Sequence, residues 1–247
     1  MSSPAPAAQH DVRPARDAGF TLVELAIVLF ILTLLMAGAM TPLARQIVER
    51  QSADTRRTLL DVRTALQGYA LSHRDPAGRP YLPCPDRREG PQANDGQEDR
   101  LPDGSCAAPS GNLPWISLGL AETDAWGNRY TYAVARAYAH AQSGILAHPT
   151  PAADLRVCLE RRCDHPIAAA AVWLSHGPNG LGARNAAGRR NRAPDGRDER
   201  ENAHGGPVFF SRPPAAADRP GGEFDDLVQW LAPGYLIGRL CGEGGAC

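Results

Sequence analysis

The chain has 247 residues and a formal net charge of −1 at pH 7, which excludes a dominant polyanion-binding role and leaves room for one core of about 170 residues behind its N-terminal segments. Its six cysteines, Cys84, Cys106, Cys158, Cys163, Cys241 and Cys247, all follow the one long apolar run. An even number confined to one side of a membrane suits an oxidising compartment.

Residues 1–19 read as a polar, Pro- and Ala-rich leader outside the fold. Gly19-Phe20-Thr21-Leu22-Val23-Glu24-Leu25 then opens an apolar run that reaches Met40. As a helix, this run is about 31 Å long and matches a bilayer core of roughly 30 Å. Glu24 puts a carboxylate inside it. An ionisable group at that depth is costly and marks a function, so its partner must be found. A cut between Gly19 and Phe20 would free an amine on Phe20, and Glu24, four residues on, shares its helix face.

These residues resemble the N-terminus of the type IV pilin and type II secretion pseudopilin superfamily. In that family the leader ends in Gly, Phe usually follows, and a Glu stands where Glu24 stands. The resemblance implies cleavage after Gly19 by a prepilin peptidase, N-methylation of Phe20, and use of Glu24 to set the stagger of subunits in a filament. The implied partners are other pilin or pseudopilin subunits, the peptidase and an inner-membrane assembly platform. The implied location is the inner membrane, single-pass, with the head in the periplasm. Two rivals stay open. Arg13 and Arg16 before Leu25 to Met36, with Ala37-Gly38-Ala39 behind, also read as a removable signal peptide, and the span also reads as an uncleaved anchor. Arginines on both sides, Arg13 and Arg16 before and Arg45 and Arg50 after, leave orientation open.

Pro42 should kink the helix or mark its exit from the membrane, because it lacks an N–H and clashes with the preceding turn. Beyond it, Leu43, Ile47, Leu59, Val62, Leu66 and Tyr69 recur at spacings near multiples of three and four. The expectation is a membrane helix over 20–41 and an amphipathic continuation over 42–75, ended by Asp75-Pro76 and Ala77-Gly78. A short coiled coil is the alternative for this stretch. Residues 76–247 then form the head.

Residues 80–114 are turn-rich and read as a loop tethered by cysteines. Strands are expected over 129–139, 155–159, 168–175, 207–210 and 227–231. Residues 180–206, polar and without aromatics, are expected to be a long surface loop. The fold class is therefore α+β, pilin-like, with the long N-terminal helix laid on a small antiparallel sheet. Six cysteines allow fifteen pairings. Cys158 and Cys163 flank a plausible turn, Cys241 and Cys247 would close a Gly-rich loop, and Cys84 and Cys106 remain. No C-x-x-C or H-x-x-x-H spacing points to zinc.

Asp124-Ala125-Trp126-Gly127-Asn128-Arg129-Tyr130-Thr131-Tyr132 resembles a segment of the major pseudopilins of type II secretion, and reads as a tight turn feeding an aromatic strand. Ser175-His176-Gly177-Pro178-Asn179-Gly180, with Asp225-Asp226-Leu227-Val228-Gln229-Trp230, resembles the calcium-binding region of the same proteins. Asn179 stands where an Asp is usual, and about forty residues separate the halves. The resemblance implies calcium on Asp225, Asp226 and Asn179, the one cofactor candidate; a surface turn or helix cap is the alternative. No catalytic residue is expected: Ser175 and His176 are adjacent in sequence, and no G-x-S-x-G, Walker or H-E-x-x-H motif is present. The arginines of 184–200 are diluted by Asp195, Asp198 and Glu199, which argues against nucleic acid.

The function implied is a pilin-like subunit, non-enzymatic, of a type IV pilus or secretion pseudopilus, a minor one in view of its insertions and bulky head. The alternative is a secreted periplasmic binding or enzymatic domain behind a removable signal.

Overall fold

The computed structural model describes residues 21–145 and 150–240, with the side chains of residues 37–45 left aside. Gly19, Phe20, Cys241 and Cys247 lie outside the described residues. The chain divides into two units, Met1–Ile47 and Val48–Cys247.

In the first unit the described backbone is the start of helix α1 (Leu22–Ser72). Thr21 caps it, its Oγ1 accepting a hydrogen bond from the Glu24 N–H at 3.2 Å.

In the second unit α1 becomes one-sided. Leu59, Val62, Leu66 and Ala70 are buried and Leu60 and Leu71 exposed, the stripe expected of a helix on a core. This stripe begins later than the sequence implies, since Ile47 is half exposed. The helix stops at Ser72. A turn follows, in which Asp75 Oδ1 accepts the N–H groups of Ala77 and Arg79.

The head then runs β1 (Ser110–Asn112), α2 (Trp115–Leu118), β2 (Asn128–Arg129), β3 (Thr131–Val134), α3 (Arg136–Ala139), β4 (Leu155–Cys158), β5 (Ile167–Ala169), β6 (Ala171–Ser175), β7 (Arg184–Asn185), α4 (Arg197–His204), β8 (Val208–Phe210), β9 (Leu227–Leu231) and α5 (Pro233–Leu240). The main sheet has the order β1-β3-β6-β9 and is antiparallel throughout. Its apolar residues join the α1 stripe in one core that includes Tyr130, Tyr132, Val172, Trp173 and Leu174. Trp173 locks helix to sheet by donating its indole N–H to the Leu59 carbonyl at 2.8 Å. The fold is thus α+β, with the N-terminal helix packed on an antiparallel sheet. A second sheet, β5-β4-β8, pairs β4 with β8 in parallel, and β2 pairs with β7.

Three expectations need correction. The strand expected over 129–139 is broken into β2, β3 and the helical turn α3, which buries Tyr138. The strand expected over 168–175 is two strands in different sheets, divided at Ala170, whose N–H goes to Leu231 and whose carbonyl accepts from Ala135. The loop expected over 180–206 contains β7 and α4. Helix α4 was hidden because its buried face is polar: Asp198, Glu199 and Asn202 are almost fully buried there.

Candidate functional site

Two groups of residues stand apart from ordinary packing. The first is the start of α1. Leu22, Val23, Leu25, Ile27, Leu29, Phe30, Leu35 and Met36 are all more than half exposed, so apolar side chains cover the helix on every side. Water is a poor neighbour for such a surface, and apolar patches of this size mark a membrane or protein contact. Glu24 sits in the first turn, exposed, and its carboxylate makes no hydrogen bond or ion pair among the described residues. Among the described residues no helix is long and apolar enough to cross a membrane; the described side chains of this run end at Met36.

The second group is acidic, with Glu199 and Asp226 buried and Asp225 half-buried. Asp225 and Asp226 lie just before β9, and Glu199 comes from the first turn of α4; one carboxylate oxygen of each lies within 4.8 Å of the others. Glu199 Oε1 accepts the Asp225 N–H at 2.8 Å. Asp225 Oδ2 accepts the Asn179 N–H at 2.9 Å, and Asp226 Oδ2 accepts from Asn202 Nδ2 at 2.8 Å. That leaves Glu199 Oε2, Asp225 Oδ1 and Asp226 Oδ1 buried without a hydrogen-bond partner. His176 Nδ1, fully buried, stands 3.4 Å from Asp226 Oδ1. Gly177, at φ 61°, lies so close that a Cβ there would come within 2.4 Å of the Asp225 carbonyl, so this approach requires glycine.

Burial, with the Asp226 charge beside it, pushes the Glu199 carboxyl up to about 8. Burial also raises Asp225, to about 6, against the N–H bond from Asn179 and with Asp226 adding to the rise. Three carboxylates this close cannot all ionise cheaply without a counter-charge. Oxygen-only donors of this kind fit a hard cation such as calcium. Glu199, Asp225 and Asp226 would hold it. Asn179, the third residue expected there, accepts the Leu181 N–H on Oδ1, and its backbone N–H orients Asp225. Glu199 is not legible in the sequence because nothing there ties 199 to 225; the signal is only a run of charge in a segment that reads as loop.

The remaining motif residues are structural. Asp124 Oδ1 accepts the N–H groups of Trp126 and Asn128, closing the turn at Gly127, and Asp124 Oδ2 takes the Ser175 hydroxyl at 2.6 Å. His176 shares a hydrogen bond with Thr131 through Nε2. Ser175 and His176 therefore face different partners and do not form a nucleophile–base pair. Disulfides join Cys84 to Cys106 and Cys158 to Cys163, with Cα separations of 5.2 and 4.9 Å.

The family model of the prokaryotic N-terminal methylation motif matches residues 14–40. No curated protein and no solved structure matches the chain. The matched segment holds Gly19, Phe20 and Glu24 and opens the apolar, exposed part of α1; over that segment the chain carries the prepilin-cleavage motif of type IV pilins and pseudopilins.

Proposed function

We propose that the chain is a minor, non-enzymatic subunit of a type IV pilus or type II secretion pseudopilus. Prepilin peptidase removes residues 1–19, Phe20 is methylated, residues 20–41 hold the protein in the inner membrane, and the head, joined through residues 42–75, faces the periplasm. Glu24 neutralises the new Phe20 amine of a neighbouring or the same subunit and so fixes register as subunits meet on the assembly platform. The methylation motif over residues 14–40 carries this reading. The all-round apolar surface of α1 from Leu22 to Met36 supports it, since lipid or the helices of neighbouring subunits would cover it. Disulfides in the head suit the periplasm. Mass spectrometry of the membrane fraction tests it: a mature chain starting at methylated Phe20 is expected, and a terminus near Met40 would restore the secreted, signal-peptide alternative.

A second reading concerns the head. Glu199, Asp225 and Asp226 bind calcium, which would supply the positive charge that these three crowded carboxylates lack. The observation favouring it is that three carboxylates bring an oxygen each within 4.8 Å of one another and that each also has a buried oxygen without a hydrogen-bond partner. Titration of the full-length protein with calcium against chelator tests it by melting temperature.

A further inference from the structure

A cavity of about 200 Å³ in the head is lined by Arg88, Arg184, Arg190 and His204, with Glu89 beside them. These residues come from separate parts of the chain. Arg88 belongs to the cysteine-tethered loop, Arg184 to β7 and His204 to the end of α4, and Arg190 bridges back to Arg184 through the backbone. Arg88 is held in place by neutral acceptors: its Nη2 donates to the Gly111 carbonyl at 3.0 Å and to Thr131 Oγ1 at 2.5 Å. Arg184 donates Nη1 to the Gly188 carbonyl at 2.8 Å, while its Nε is buried without a partner. Arg190 makes no side-chain hydrogen bond or ion pair among the described residues, and its side chain is exposed.

The counter-charge is small. Glu89 reaches Arg184 Nη2 at 3.3 Å, but its side chain is 90% exposed, where such a pair contributes little. Asp86, buried and already accepting hydrogen bonds from Asn94, Gly96 and Asn112, offsets part of the Arg88 charge, so three guanidinium groups share one weakly held carboxylate at the cavity and one committed to other donors. Burial, and then the charges of Arg184 and Arg190, pull Arg88 down to about 10, a sign that the like charges crowd one another.

We propose that this cavity binds a phosphate group. Guanidinium forks match phosphate oxygens, and a group of up to two negative charges with several acceptor oxygens answers three arginines better than the single carboxylate already at the rim. The cavity lies below the roughly 300–1,000 Å³ of sites that enclose a drug-sized molecule. One phosphoryl group therefore enters, either as free phosphate or as the end of a larger phosphomonoester. The near-neutral charge of the whole chain is no obstacle, because the site is local and does not need a basic face.

The test is the melting temperature of the full-length protein in detergent, with sodium phosphate or glycerol 3-phosphate titrated against sodium chloride at matched ionic strength. The native protein and the control Arg192→Gln, whose side chain is 70% exposed and paired with Asp195, should show a saturable rise. In Arg184→Gln and in Arg190→Gln the half-saturating concentration should increase roughly tenfold or more. Arg190→Gln keeps the test sound if Arg184→Gln disturbs β7, because the Arg190 side chain holds nothing together. A stronger response to glycerol 3-phosphate than to phosphate supports a group carried on a larger molecule, and the reverse supports free phosphate. No saturable rise with either compound, or a rise unchanged in both variants, overturns the proposal.

Discussion

The start of α1 and the helix α4 invert the usual rule in opposite directions. From Leu22 to Met36, α1 exposes apolar side chains all round, whereas α4 buries Asp198, Glu199 and Asn202. In the second unit α1 follows the rule: Leu59, Val62 and Leu66 are buried on one face against the sheet. Each inversion marks a place where the isolated chain is incomplete or internally compensated. Exposed apolar surface calls for lipid or other helices. Buried acids call for arginine, amide, proton or cation.

The largest effect should come from the apolar end. Glu24→Ala should leave the protein in the membrane fraction, with a more apolar helix, while its incorporation into sheared filaments is largely lost. Equal incorporation of variant and native subunits would break the link between this carboxylate and register. In α4, Asp198 is fully buried against Arg212, which also stacks over Phe224 with its guanidinium carbon 4.4 Å from the ring centroid. Asp198→Ala would strand that arginine and should cost about 3–5 kcal/mol in denaturant unfolding of the head. A cost below 1 kcal/mol would mean that the buried polar face of α4 is not held together by this pair.

The acidic centre sharpens the comparison further. Calcium should raise the melting temperature, by the equivalent of about 2.7 kcal/mol at a hundredfold excess over its dissociation constant, and Asp225→Asn with Asp226→Asn should abolish the shift. Magnesium should substitute poorly, given its smaller octahedral shell. A calcium shift that survives both replacements would place the ion elsewhere.

With chelator present, the pH dependence has a definite sign. Glu199 and Asp225 hold their protons more tightly folded than unfolded, since about 8 and about 6 exceed the ordinary carboxylate value of about 4. The folded state therefore binds more protons, and stability falls as pH rises from about 4 through 6 to about 8. Calcium must displace those protons, so its stabilisation should grow over the same range. A head that gains stability from pH 5 to 8 in chelator would contradict the crowding of these carboxylates. The smallest effect returns to the other region: Leu29→Ala, at an exposed position, should change head unfolding by no more than about 0.5 kcal/mol.

The sequence makes some of these features legible and conceals others for a physical reason. Gly19-Phe20 and Glu24 are readable because the constraint is local, a few adjacent residues at the edge of an apolar run. The α1 stripe is readable because its apolar residues recur at helical spacing, and strands β3, β4, β6 and β9 because each is a short apolar-rich run, buried along most of its length. Helix α4 is not, because periodicity counts apolar residues and its buried face has mostly acids and an amide, Asp198 held by Arg212 and Asn202 by Phe210 and Asp226. The acidic centre was half legible: Asp225 and Asp226 are adjacent, but Glu199 reaches them only through the fold. The arginine cavity was not legible at all, because Arg88 and Arg184 are 96 positions apart (184 − 88).

The most direct measurement is intact-mass and N-terminal peptide mass spectrometry of the protein from the membrane fraction of cells with and without prepilin peptidase. The expected mature chain begins at Phe20 with one methyl group on its amine, and residues 1–19 remain attached when the peptidase is absent. A chain beginning near Met40, or an N-terminus indifferent to the peptidase, would contradict assembly through the N-terminal helix.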